Sequence, residues 1–326
     1  MASQKCLFAT LLVACVILTS GSTLLAQEPP TLQQLAAAAY KLADLTALRP
    51  YVLRAAVTAK PGDKDQERSG QLTIYRDRDR ARVELSLGSS RETRIVVGQR
   101  QYITLEAALF PATGLTNFDS SWLLVPIPGA SRIPLAKAKV QGGDAWCADI
   151  EKPGYPSRVC FDAYDATRPK LISVQRVPER EEFFTYTLVD QRWFPGQAFI
   201  SRQDSTLVEL RDVQVLPGPL DATLFDVPAG SVEIESCGAP TAKPTYRVDP
   251  QFPESESKRK RNGVVELSLV IDKEGKLAAA RIVKATSDAF AHQSLETVQK
   301  WKFQGGMCGD RPVNQEIAVS FSFHTY

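Results

Sequence analysis

The feature that most constrains the fold is a long stretch, residues 51 to about 227, in which apolar and polar residues alternate. Its segments are short, β-branched or aromatic, and separated by turn residues: YVLRAAVTA, GQLTIYRD, RARVELSL, TRIVVGQRQYITL, KLISVQRV, FFTYTLVD and STLVELRDVQVL. Such segments form antiparallel strands. The preceding TLQQLAAAAYKLADLTAL has helical spacing and predicts one amphipathic helix that ends at Arg49, before Pro50. We therefore predict a curved antiparallel sheet, an open half-barrel, packed on a helix.

The N-terminus reads as an export leader, residues 1–26. A single cation, Lys5, precedes an apolar run over residues 6–26, and Ala26 offers a small residue for cleavage. The same run is long enough to remain as a membrane anchor. A third interpretation is a lipobox, LVAC, with Cys15 lipidated. All three predict that the remaining chain is exported from the cytosol.

Export determines how the cysteines are interpreted. Beyond the leader the chain has four, Cys147, Cys160, Cys237 and Cys308. An even number in an oxidising compartment favours disulfides, and three pairings are possible. Proximity favours Cys147 with Cys160, which leaves Cys237 for Cys308. No metal site is expected, since there is no C-x-x-C pair and only two histidines.

Composition narrows the function further. The chain has 39 basic and 37 acidic residues, a formal charge of +2, so we expect no nucleic-acid partner. Nucleophile-elbow, zinc-protease and phosphate-loop motifs are absent, and no pair of carboxylates stands out for acid–base chemistry. We therefore predict a protein that is not an enzyme and that carries no cofactor.

The pattern changes again from Asp249. GVVELSLVI alternates, DKEG makes a tight turn, and KLAAARIVKA returns as a second strand. SDAFAHQSLETVQKW has a helical apolar stripe with Ser287 or Asp288 as its N-cap, and NQEIAVSFSF alternates as a last strand. This order predicts a small ββαβ domain and, with the first sheet, an α+β protein. The predicted units are residues 27–230, a Pro- and Gly-rich linker over residues 231–249, and residues 250–326.

The last unit resembles the C-terminal domain of the TonB family. The family pattern runs P-x-[YF]-P, G-x-V, D-x-x-G-x-[VL] and W-[KR]-[FY]. This chain meets it with Pro250, Phe252, Pro253, Gly263, Val265, Asp272, Gly275, Leu277, Trp301, Lys302 and Phe303. The resemblance covers about a quarter of the chain.

The resemblance implies a periplasmic adaptor that binds a segment of an outer-membrane receptor, or of another envelope protein, by strand addition. By position, the docking edge lies in residues 313–323, helped by residues 250–253. The implied partner-binding residues are Pro250, Gln251, Phe252, Pro253, Val313, Gln315, Ile317 and Val319. Energy-coupled transmembrane transport is a further implication. Against it, the leader lacks histidine and a β-domain replaces the long Pro-rich spacer of the family's transducers.

Residues 45 to about 230 weakly resemble lipoprotein carriers of the LolA/LolB type, on the N-terminal helix, the long antiparallel sheet and the LFDVPAG ending. That resemblance implies an alternative function, in which the inner face of the sheet carries a lipid or acyl chain and the TonB-like unit is a structural module. The other interpretation of that face is one filled by the protein's own side chains.

Overall fold

The computed structural model describes residues 30–60, 67–106, 127, 129–162, 164–176, 179–202, 205–235 and 237–325. The leader predicted over residues 1–26 lies outside these ranges. Among the described helices, none has the length and apolar character that a bilayer span requires.

Thirteen strands form one large antiparallel sheet. In chain order they are β1 (Tyr51–Ala59), β2 (Arg68–Asp77), β3 (Arg80–Leu87), β4 (Ser90–Val97), β5 (Arg100–Glu106), β6 (Ala136–Val140), β7 (Gly143–Asp149), β8 (Arg158–Asp162), β9 (Leu171–Arg176), β10 (Glu179–Val189), β11 (Arg192–Arg202), β12 (Ser205–Pro217) and β13 (Val232–Ile234). The spatial order is β13-β5-β4-β3-β2-β1-β12-β11-β10-β9-β8-β7-β6, so β13 and β6 are its end strands. The prediction of a large antiparallel sheet is confirmed.

Helix α1 (Leu32–Ala43) packs on the apolar face of this sheet. Thr31 and Gln34 form a reciprocal capping box at its start, and its buried side chains join the core of the strands. The prediction of one helix up to Arg49 is wrong at its C-terminal end. The side chain of Asp44 accepts from the backbone N–H of Thr46 at 2.9 Å and starts a separate 3-10 turn over Leu45–Leu48.

The C-terminal unit is built on a three-stranded sheet covered on one face by a helix. Its strands are β15 (Gly263–Ile271), β16 (Leu277–Ala285) and β20 (Gln315–Phe323), in the order β16-β15-β20, and its helix is α3 (Asp288–Val298). Ser287 is the N-cap of α3, as one of the two expected candidates. Gly263 is required where β15 passes under α3, since a Cβ there would lie 2.3 Å from Cε2 of Phe290.

The simple ββαβ order is incomplete, because four short strands and a short helix surround this sheet. They are β14 (Lys243–Tyr246), α2 (Glu254–Lys258), β17 (Lys302–Gln304), β18 (Gly306–Cys308) and β19 (Arg311–Val313). β14 pairs with β17, and β18 pairs with β19. The helix ends at Val298, so Trp301 lies beyond it.

Two short strands lie within the segment predicted to be a linker, residues 231–249. Its first part, β13, adds to the edge of β5 in the large sheet, and its last part contains β14. Composition indicated a linker, and in the structure its two strands pair with the large sheet at one end and with β17 at the other.

We expect Gly263→Ala to destabilise the C-terminal unit by about 1–3 kcal/mol, because the added methyl group overpacks the ring of Phe290. Urea unfolding followed by circular dichroism measures the change. Val264→Ala, on the same strand at an exposed position, is the matched control and should change stability by less than about 1 kcal/mol. Equal stabilities of the two variants would contradict the packing argument.

Candidate functional site

The candidate site is the outer edge of β20. β20 pairs with β15 along its whole length with no register shift, from Gln315 opposite Ile271 to Phe323 opposite Gly263. In the described part of the chain, no strand pairs with its other side. This leaves a regular, nine-residue strand with one ladder unfilled.

The direction of the backbone groups follows from two contacts. The carbonyl of Val264 accepts a hydrogen bond from the N–H of Thr286, just after β16, so the backbone groups of Val264 point towards β16. The backbone groups of the next residue, Val265, therefore point towards β20, where its partner is Phe321. In β20, the backbone N–H and C=O groups of the odd-numbered residues therefore point towards β15, and those of the even-numbered residues point outward. At the other end of the strand, the outward C=O of Asn314 accepts from the N–H of Glu235 at 3.0 Å, in agreement.

We call the outward backbone groups of residues 316, 318, 320 and 322 the free edge. Its first residue, Glu316, is the next outward-facing position after Asn314, whose carbonyl is already occupied by Glu235. The side chains of Ala318, Ser320 and Ser322 are small, uncharged and exposed. A groove of about 420 Å³ opens at the start of the free edge. Its lining includes Ile234, Pro240, Ile317 and Ala318.

Two of the predicted partner-binding residues lie inside the fold. Val313 is buried and pairs with Gly306. Gln315 is 3% exposed, and its Oε1 accepts from the backbone N–H groups of Thr241 at 2.8 Å and Ala242 at 3.0 Å. Gln315 therefore holds the chain that enters the unit.

Of the other predicted residues, Ile317, Val319 and Phe252 lie on the helix-covered side of β20. Ile317 is buried in the core and Val319 packs against it. Phe252 packs edge-to-face on Phe290 and Phe323, with ring centroids 5.5 and 6.0 Å apart. Among its neighbours, Gln251 is exposed, while Pro250 and Pro253 are half-buried.

Both expected cysteine pairs are close in space and bridged. Cys147 and Cys160 are opposite each other on β7 and β8, with their Cα atoms 4.1 Å apart. Cys237 is joined to Cys308, with a Cα–Cα distance of 5.8 Å. The second bridge ties Cys237 to β18, and Gln315 ties Thr241 and Ala242 to the start of β20.

The inner face of the large sheet is filled where α1 covers it. Apolar side chains of α1 and of strands on both sides of β1 form one continuous core there. A further groove of about 380 Å³ lies between the two units, lined in part by Ile103, Leu105, Leu277 and Leu295. The acyl chain implied by the carrier resemblance stays a prediction. No group of three or more metal-ligating side chains occurs in the ranges that the structure describes.

A cluster of four charges, which sequence reasoning missed, joins the two units. On β4, Glu92 and Arg94 pair with Leu85 and Val83 and so share the face of the sheet that is apolar on β3. The outer face of the small sheet supplies Arg281 from β16 and Glu316 from β20. The only sign of this cluster in the sequence was the pair of charged residues Glu92 and Arg94, two positions apart on the core-facing side of one strand.

The contacts within this cluster, which we call the interdomain cluster, are close. Arg94 holds Glu316 with two hydrogen bonds, Nη2 to Oε1 at 2.7 Å and Nη1 to Oε2 at 3.1 Å, and its Nε contacts Glu92. Arg281 lies 3.7 Å from Glu92 and 3.6 Å from Glu316, and Ser268 donates to Glu316. The side chain of Glu92 is 1% exposed, so its charge depends on these partners.

The electrostatic consequence is clearest at Glu316. Burial alone raises the pKa of this carboxyl, but the hydrogen bonds and charges of Arg94, with Ser268 and Arg281, outweigh burial and lower the pKa to about 2. Glu316 is therefore ionised at neutral pH. Because it is also the first residue of the free edge, the cluster positions that edge against the large sheet.

We expect Arg94→Met to destabilise the protein by about 3 kcal/mol, because it leaves the buried carboxylate of Glu92 and the partly buried one of Glu316 facing one cation. Arg91→Met, on the same strand at an exposed position, is the control and should have little effect. Chemical denaturation of both variants measures the difference. Equal stability of the two would show that the interdomain cluster contributes nothing.

The lowered pKa of Glu316 makes the stability depend on pH. In the unfolded chain the carboxyl titrates near its ordinary value of 4.5, above the folded value of about 2. Its contribution is therefore complete above about pH 4.5 and is lost as the pH falls towards about 2. We expect wild type to lose more stability than Glu316→Gln between about pH 5 and about pH 3. Parallel losses in urea unfolding would contradict the assignment.

Comparison with known proteins finds a family match in the C-terminal unit. Residues 248–325 match the family model described as Gram-negative bacterial TonB protein C-terminal. No curated protein matches the chain by sequence.

Two solved structures are similar in part. One is a LolA superfamily protein from Nitrosomonas europaea, at 10% identity and a TM-score of 0.37, covering 61% of this chain and 99% of that one. The other is the TonB C-terminal domain of Pseudomonas aeruginosa, at 22% identity and a TM-score of 0.22, covering 25% of this chain and 84% of that one. The family match covers the last quarter of this chain, and the free edge lies within the matched residues.

Proposed function

We propose that this chain is a cell-envelope binding protein whose C-terminal unit takes up an extended segment of an outer-membrane receptor, or of another envelope protein, as an added strand. The segment pairs with the free edge of β20, over residues 316–322. The family match over residues 248–325 and the export leader predicted from the sequence support this location and partner class.

The observation that carries the proposal is that β20 lacks the protection found at other sheet edges of the described chain. β6, at one end of the large sheet, presents the exposed lysines Lys137 and Lys139. β16, at the other end of the small sheet, pairs with β15 through two register shifts. Edge lysines and bulges are the devices that prevent strand addition. β20 has a regular register, and its exposed side chains at 318, 320 and 322 carry no charge.

The free edge offers enough backbone groups for a specific contact. Each of its four residues presents one N–H donor and one C=O acceptor to an incoming strand. Net contributions of about 1 kcal/mol per hydrogen bond give useful affinity to an extended segment, and main-chain pairing requires no particular side chain on β20. The groove beside Ala318 leaves room for the first side chains of that segment.

Ser320→Pro tests the proposal directly. The N–H of Ser320 points outward, so proline removes a donor of the free edge and places its ring there, without removing a hydrogen bond to β15. The full chain is used to select linear peptides from an unbiased phage-displayed library, and one synthetic binder is measured by fluorescence anisotropy. We expect Ser320→Pro to weaken binding at least tenfold, about 1.4 kcal/mol.

Ser320→Ala is the matched control, because it keeps the N–H and removes only the hydroxyl. It should bind the peptide as wild type does. Hydrogen exchange should show protection of the amides of residues 316, 318, 320 and 322 when the peptide is bound. A Ser320→Pro variant that folds and binds with unchanged affinity would refute strand addition at this edge.

A further inference from the structure

Residues 241–252 run alongside β20, next to one side of the free edge. The backbone of Thr241 is held by the side chain of Gln315, at the start of β20. Further along, the carbonyl of Val248 accepts from Nε1 of Trp301, whose ring lies 5.4 Å from that of Phe321. Finally Phe252 packs on Phe323, at the end of β20. This segment therefore follows β20 in parallel on the helix-covered side.

The paired strands β14 and β17 form a layer, which we call the β14–β17 layer. In this layer β14 is nearer to β20, and β17 is nearer to β15 and β16. The chain at β17 approaches the turn between β15 and β16, since the carbonyl of Phe303 lies within 2.5 Å of a Cβ built on Gly275. β14 begins immediately after Thr241 and Ala242, the residues held by Gln315. An added strand on β20 would therefore place every second side chain next to β14.

The solvent face of this layer is positively charged. Lys243 and Lys302 are exposed on β14 and β17, Lys300 precedes β17, and Arg247 lies over Trp301 with its Cζ 5.4 Å from the ring centroid. Within the described chain these four cations have no acidic side chain at ion-pair distance. The single acid in residues 241–252 is Asp249.

Other charges near the edge are already compensated. Glu316 is held by Arg94, and Glu235 is paired with Arg311. The basic run at residues 258–261, prominent in the sequence, is partly neutralised because Arg259 and Arg261 both contact the buried Glu256. The uncompensated charge beside the free edge is therefore the positive charge of the β14–β17 layer.

We infer that the segment which adds to β20 is acidic, with Asp or Glu at alternate positions that face Lys243 and Arg247. This inference rests on the proposed function and deepens it by naming the partner's chemistry. An acidic segment is attracted to the edge before it pairs, whereas a basic segment is repelled, so the charge selects among extended segments that main-chain pairing alone does not distinguish. Arg247 keeps its N–H donors available while its plane is held by Trp301.

The test uses the full chain and the same unbiased linear phage library. Peptides are selected in parallel on wild type, on the double variant Lys243→Glu with Arg247→Glu, and on the control Arg132→Glu with Lys152→Glu. The control makes the same change of charge at two exposed positions on the N-terminal unit. Circular dichroism verifies that all three are folded.

We expect the wild-type and control pools to be enriched in Asp and Glu at alternate positions, and the pool from the double variant to lose this enrichment. A synthetic acidic peptide from the wild-type pool should bind the double variant about tenfold more weakly, and its affinity for wild type should fall as salt is raised.

Two failures are distinguishable. Peptides that lose binding in Ser320→Pro, yet show no acidic enrichment or bind the double variant equally well, would overturn the inference and leave strand addition intact. Peptides whose binding is indifferent to Ser320→Pro would overturn the proposed function, and the inference with it.

Discussion

The arrangement of the molecule depends on the interdomain cluster of Glu92, Arg94, Arg281 and Glu316. Two cations and two anions, one of each from either unit, are largely withdrawn from water and neutralise one another. Removing charges from water is unfavourable unless each charge has a partner of opposite sign, and here Arg94 bonds both Glu92 and Glu316 while Arg281 lies within 3.7 Å of both carboxylates. These contacts favour one relative position of the large and small sheets.

Apolar and covalent contacts around the cluster also hold the two units together. Ile103 and Ile234 of the large sheet pack with Val270 of the small one, and Arg68 reaches Asp288 at the start of α3. The Cys237–Cys308 bridge and Gln315 secure the connecting segment. These contacts cover one face of the small sheet and one end of β20 while leaving its outer ladder unfilled. The free edge is therefore presented by a framework of apolar, ionic and covalent contacts.

Local pattern predicted the secondary structure of the C-terminal unit well. Alternation identified β15 and β20 to within about one residue, and Ser287 was one of the two candidate caps, because these signals depend on neighbours in sequence. The helix before the large sheet was predicted too long for a related reason. Spacing indicates an apolar stripe, but the carboxylate of Asp44 starts a new turn within it.

The candidate site was predicted less completely. Gln315 and Val313 belong to the strand that family position indicates, but the structure uses their side chains internally. The charges of β4 gave almost no signal, since their partners lie more than about 180 residues away in the chain. Pairings of such separation depend on which faces meet, and periodicity does not contain that information.

By itself, the sequence determined a sheet-rich chain with a TonB-like last quarter, because strand alternation, capping and motif spacing are local properties. Tertiary structure decided which edge remains unpaired, which charges are neutralised and which stay available beside it. These depend on how two separately patterned sheets pack, and burial and ion pairing act between residues that are distant in the chain.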